Sequence, residues 1–142
     1  MTIARLIAVR EGPVISCQST TRVRDAVAML ADKRIGALPV LDNGSVAGIF
    51  SERDVIYQLQ THGPAMLDGE VGQIMTAPAV TVSPDTDVMA ALALMTRRRI
   101  RHLPVVTEGK MVGFVSIGDL VKFRIDRIEA EAEAMRAYIQ TA

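Results

Sequence analysis

Two short motifs carry side chains that could do chemistry: Ser51-Glu52-Arg53-Asp54 and Ser116-Ile117-Gly118-Asp119. In each, a hydroxyl precedes a carboxylate by three residues. An apolar run ends at the serine, and helical spacing starts after it. The first backbone N–H groups of a helix lack intrahelical partners, so they favour an anion, and the hydroxyl adds one more donor. The carboxylate, once ionised, accepts hydrogen bonds from a pair of donors. The same Ser-x-x-Asp spacing also matches a capping box, a purely structural device contributing about 0.5–2 kcal/mol through the cap.

The surroundings of the two motifs differ. Arg53 lies inside the first, where the second has Gly118. Arg101 and His102 precede Leu103-Pro104, where the first copy has Gly36 and Ala37 before Leu38-Pro39. Two crevices built on these motifs are therefore chemically unequal, and one is expected to bind a ligand more tightly than the other.

Other chemistry is thinly represented. No paired carboxylates, metal-ligand cluster, activated nucleophile or glycine-rich phosphate loop appears, so an enzyme is not expected. The single cysteine, Cys17, reads as a small apolar strand residue and implies a reducing, cytoplasmic setting. Lys+Arg and Asp+Glu are equal at 16 each and aromatic residues make up 4 %, which argues against a nucleic-acid binder. Within Arg97 to Arg101, all but Arg101 then read as a solvated helix end. No apolar run reaches the roughly 18 residues of a membrane span, so no membrane insertion is expected, and Met1 to Arg10 are too short and charged for a signal peptide.

The elements that must position the motifs come from an internal repeat. Shifted by 65 residues, the chain overlays itself without a gap. Arg34, Ile35, Leu38, Pro39 and Val40 recur as Arg99, Ile100, Leu103, Pro104 and Val105; Gly48, Ser51 and Asp54 recur as Gly113, Ser116 and Asp119. Each copy predicts an extended run (Val14–Cys17; Ala79–Val82), polar caps (Ser19 to Thr21; Ser83 to Thr86), and a helix on Val23, Ala26, Val27 and Leu30 or on Val88, Ala91, Leu92 and Met95. Two strands around a tight Asn43-Gly44 or Glu108-Gly109 turn follow, then a second helix. The fold class is α/β (α+β), with the β-α-β-β-α unit occurring twice.

Units are expected at 8–62 and 78–127, with a Gly- and Pro-bearing linker at 63–77, one helical turn expected within it at Gln73 to Met75, and a C-terminal helix extension at 128–142. Leu120 to Gln140 lacks Gly and Pro and predicts one long helix. Its apolar stripe of Val121, Ile125, Ile128 and Ala132, continued by Met135 and Ile139, exceeds what a small unit can cover and is expected to pack on a partner subunit.

Gly48-Ile-Phe-Ser51-Glu-Arg-Asp54 and Gly113-Phe-Val-Ser116-Ile-Gly-Asp119, each after a Leu-Pro-Val strand, resemble the cystathionine β-synthase (CBS) domain family over roughly residues 10 to 125. The resemblance implies a two-unit Bateman module, its sheets packed face to face with pseudo-two-fold symmetry, and clefts between the units. It implies a regulatory adenine nucleotide (AMP, ADP or ATP) or S-adenosylmethionine as ligand, no obligatory cofactor, a homodimer, and a separate target protein. Asp54 and Asp119 would then accept the ribose 2′- and 3′-hydroxyls. Ser51, Ser116, Arg53, Arg101 and His102 would meet phosphate. Ile15, Cys17, Ile35, Ala37 and Leu38, with Val80, Val82, Ile100 and Leu103, would wall the base. The competing expectation is a ligand-free dimerisation scaffold.

Overall fold

The computed structural model describes residues 1–10 and 12–141; Glu11, within the first unit, and Ala142, ending the C-terminal extension, lie outside the described residues. The order is α1 (Ile3–Ala8), α2 (Val23–Lys33), β1 (Ala37–Asp42), β2 (Ser45–Ser51) and α3 (Glu52–His62). After a 3-10 turn at Pro64–Asp68 come α4 (Val71–Ile74), α5 (Val88–Arg98), β3 (His102–Thr107), β4 (Lys110–Ser116) and α6 (Ile117–Thr141).

Each unit is built on one antiparallel hairpin. β1 pairs with β2, Val40 opposite Gly48, and β3 with β4, Val105 opposite Gly113; each ladder carries a bulge one residue later. Asn43, Gly44, Glu108 and Gly109 all have φ between 51° and 81°, the left-handed pair that a tight turn matched to strand twist requires. The hairpins meet where Met111 N–H donates to the Gly44 carbonyl at 3.2 Å.

The predicted first strands shrink to single parallel bridges, Cys17 to Val40 and Val82 to Val105. Cys17 N–H donates to the Pro39 carbonyl and Val82 N–H to that of Pro104. A proline in the receiving strand has no N–H to return, and the bulge follows at once, so the ladder stops. The expected caps also shift. α2 follows Arg22 with no side-chain cap, its Val23 N–H donating to the Gly69 carbonyl, while Asp87, beyond the predicted Ser83 to Thr86, caps α5 through Met89 N–H and Ala90 N–H.

Two apolar clusters form the core, and each borrows from the segment that leads the other unit. Val23, Ala26, Leu30, Leu38, Val40 and Phe50 close around Met66 and Val71. Val88, Ala91, Met95, Leu103, Val105 and Val115 close around Ile3 and Leu6 of α1. Fully burying such side chains stabilises by about 1.5–3 kcal/mol each. Backbone bonds fix the exchange: Ile3 N–H to the Thr86 carbonyl at 2.9 Å, and Val71 N–H to that of Thr21 at 2.8 Å. The exchange is reciprocal, as pseudo-two-fold symmetry demands. Met1 to Arg10 thus supply a helix that no local pattern assigns to the second unit.

Candidate functional site

Both Ser-x-x-Asp motifs sit where a strand ends and a helix begins, β2 to α3 and β4 to α6. In the first, Ser51 N–H and Oγ donate to Asp54 Oδ2 at 2.9 and 3.1 Å, and Asp54 N–H donates back to Ser51 Oγ at 3.3 Å. Thr76 Oγ donates to the other oxygen, Oδ1, at 3.1 Å. Both Asp54 oxygens are therefore engaged, one by a complete capping box and one by the segment leading the second unit. In the second motif Ser116 N–H donates to Asp119 Oδ2 at 2.9 Å and Asp119 N–H to Ser116 Oγ at 3.1 Å. Arg10 stands 3.6 Å from the same Oδ2 and donates to the Phe114 carbonyl. Asp119 Oδ1 accepts no hydrogen bond among the described residues.

Asp119 lines a cleft of about 490 Å³ between the units, within the roughly 300–1,000 Å³ usual for small-molecule sites. The second unit contributes Ser116, Asp119, His102 and Phe114; the first contributes Ile15, Ile35, Gly36, Ala37, Arg10 and Arg34. Each position follows from local structure. Ser116 and Asp119 are fixed by the cap. Arg34 ends α2 in the left-handed region at φ 54°. That residue turns the chain so that Ile35 and Ala37 enter β1 along the cleft. The His102 ring stacks on Phe114 with centroids 5.5 Å apart and planes at 13°. Burial holds the His102 imidazole below its ordinary value, against the attraction of Asp119 and Glu52 for its proton. Two guanidinium groups, Arg10 and Arg34, line the cleft with the carboxylate of Asp119, and the Glu52 carboxylate stands beside its Gly36 and His102.

Several expected site residues lie elsewhere. Asp54 faces Thr76 and Ser51 is bonded to Asp54, neither lining this cleft, and exposed Arg53 and Arg101 are not among its lining. Cys17 is buried in the first core beside a separate hollow of about 470 Å³; burial, then nearby Asp42, pushes its thiol up to about 11. Cys17 and Ile15 both pack on the first core, but of the two Ile15 alone lines the cleft. Val80, Val82 and Ile100 are half-buried against the second core, and Leu38 and Leu103 are fully buried in their own. None of the six walls the cleft. Conversely, Arg10, Arg34 and Phe114 line it without having been singled out for a ligand. The basic ends of the repeated helices signalled Arg34; nothing local signalled Arg10, whose counterpart one repeat later is Met75.

The motif glycines have a steric reason. A Cβ at Gly48 would come within 2.7 Å of the Thr76 carbonyl oxygen, and one at Gly113 within 2.8 Å of Ile7 Cγ2. Each glycine admits the lead segment of the opposite unit, so the repeated motif and the exchange require one another. The CBS domain family profile matches residues 7–61 and 71–126. The chain belongs to the CBS domain family.

This CBS pair is 38 % identical over 135 residues to the mitochondrial CBS domain-containing protein CBSX3 of Arabidopsis thaliana, matching 92 % of this chain and 66 % of that one. It thus spans just under two thirds of that relative. Among solved structures it resembles a signal-transduction protein with CBS domains from Burkholderia ambifaria, at TM-score 0.81 and 36 % identity, over 89 % of this chain and 95 % of that one. It also resembles the Pyrobaculum aerophilum CBS domain protein PAE2072, complexed with AMP, at TM-score 0.73 and 28 % identity, over 84 % and 89 % of the two chains. No helix among the described residues is long and apolar enough to cross a membrane.

Proposed function

We propose that this CBS pair is a regulatory module, not an enzyme, which binds an adenine nucleotide in the cleft between its units and reports it to a separate target protein. One observation carries the reading: the cleft sets a capped serine and a carboxylate with one uncommitted oxygen opposite an apolar wall from the other unit, with Arg10 and Arg34 beside them. The base takes the wall of Ile15, Ile35 and Ala37. The ribose hydroxyls take Asp119 Oδ1. The phosphate takes Ser116, His102 and the two arginines. The AMP complex of the Pyrobaculum relative supports the ligand class. The Asp54 crevice binds more weakly, because a ribose there must displace Thr76. A ligand changes the arrangement of units only by its difference in affinity between states. The active form is a homodimer, and the compartment is the cytoplasm, in keeping with the buried free thiol of Cys17, although the Arabidopsis relative is named mitochondrial.

Titration calorimetry with AMP, ADP, ATP and S-adenosylmethionine tests this. Saturable heat at one site per chain is expected; no heat and no thermal shift at millimolar ligand overturns it. The double engagement of Asp54 favours a second reading, a ligand-free scaffold, in which both motifs serve as caps alone. That reading requires Asp119→Asn to leave regulation of the target intact.

A further inference from the structure

The family match ends at residue 126, but α6 continues as one unbroken helix to Thr141. Val121, Ile125, Ile128, Ala132, Met135 and Ile139 follow one another at alternating intervals of four and three. That is the 3.5-residue period of a coiled-coil seam, distinct from the broader stripe a globular core takes up. Val121, Ile125, Ile128, Met135 and Ile139 are between 42 % and 65 % exposed. The body of the protein therefore leaves these five seam positions exposed, with Ala132 half-buried between them.

The charges flanking the seam select its occupant. With Val121, Ile128 and Met135 at d and the others at a, the e positions are Lys122, Glu129 and Arg136, and the g positions are Arg124, Glu131 and Tyr138. Engaging every layer with an antiparallel copy would set Glu129 against Glu129, Glu131 against Glu131 and Lys122 against Arg136. Engaging every layer with a parallel, in-register copy sets Arg124 of one helix against Glu129 of the other and Glu131 against Arg136, twice over by symmetry. Opposite charges at g and e choose partner and direction. We propose that the partner on this surface is a second copy of this chain, and that the two C-terminal helices pair in parallel through this seam. The Arg127–Glu131 pair at 3.2 Å within one helix is compatible, since a carboxylate can accept from both guanidinium groups. The inference rests on the homodimer reading and adds the surface, direction and register to it.

Sedimentation of the full chain tests it. Arg124→Glu is expected to weaken dimerisation about tenfold, and the double variant Arg124→Glu, Glu129→Arg to return it to within about threefold of the original. A disulfide is expected between copies of Ile139→Cys under mild oxidation. An antiparallel four-layer register, in which Arg124 meets Glu131 and Lys122 meets Glu129, instead predicts that the double variant is weaker than the single one and gives no cross-link; that result overturns the parallel pairing. A dimer indifferent to Arg124→Glu and to Ile128→Glu overturns the seam and leaves the homodimer reading standing. A monomer at all attainable concentrations overturns both.

Discussion

The guanidinium of Arg10 stands 3.6 Å from the carboxylate of Asp119, although one residue leads the first unit and the other opens the last helix of the second. The pair exists because lead segments cross between units. Its counterpart in the other half is a threonine hydroxyl, Thr76 on Asp54 at 3.1 Å. An internal duplication has thus produced two carboxylates with the same cap and different outer partners.

That difference predicts unequal roles. Replacing Asp119 by Asn is expected to lower nucleotide affinity about 10- to 100-fold, the loss of a charge-assisted hydrogen-bond pair. Asp54→Asn is expected to change it less than about threefold while lowering stability through the cap. Calorimetric titration of both variants with AMP and ATP checks the order; equal losses contradict it.

Arg10→Ala removes a cation from the cleft mouth and the bond to the Phe114 carbonyl. Because the pair with Asp119 is largely solvent-screened, the stability cost is expected to be under about 1 kcal/mol. Affinity for phosphate-bearing ligands should fall several-fold, and affinity for adenosine should not fall. Competition between adenosine and AMP on the variant separates the two effects.

The capping boxes can be weighed directly. Ser51→Ala removes the acceptor of Asp54 N–H and should destabilise by about 1 kcal/mol. Ser116→Ala should cost a similar amount and, in addition, weaken phosphate binding. Urea unfolding with and without saturating nucleotide distinguishes a cap from a cap that also touches ligand.

Gly48→Ala and Gly113→Ala are unequal for a steric reason. At Gly48 the obstacle is a backbone carbonyl held by a two-way bond pair between Ile49 and Thr76. At Gly113 it is the Cγ2 methyl of Ile7, a half-buried side chain stiff at χ1 that yields by a shift of the short helix α1. Overpacking costs about 1–3 kcal/mol. Gly48→Ala belongs at the upper end of that range and Gly113→Ala at the lower, as thermal denaturation of the two variants will show.

His102 supplies a pH dependence. Its imidazole is held below 6.5 in the folded protein, chiefly by burial. The unfolded chain therefore binds this proton first, so stability falls as pH drops from about 6.5 through the lowered folded value. His102→Asn should flatten that part of the profile relative to the parent, measured by urea midpoints between about pH 7 and about pH 5. An unchanged slope removes His102 as its source.

Much of the fold was legible because it is written in local periods. The repeat at a shift of 65 residues, the hairpin turns at Asn43-Gly44 and Glu108-Gly109, and the unbroken α6 each depend on neighbours a few residues apart. The first strands and helix caps were misplaced where a distant partner decided. Pro39 and Pro104 stop the bridge ladder, and Gly69 supplies the acceptor at the start of α2.

The sequence alone determined the duplicated unit, the two Ser-x-x-Asp caps and the family, since motif, turn and helix are short-range patterns that the chain repeats. Only the tertiary structure decided which carboxylate keeps an uncommitted oxygen. That depends on what the opposite unit's lead segment carries to it, Arg10 for Asp119 and Thr76 for Asp54. Contacts between residues so far apart arise from packing two cores against each other's leading helices, and no spacing along the chain encodes them.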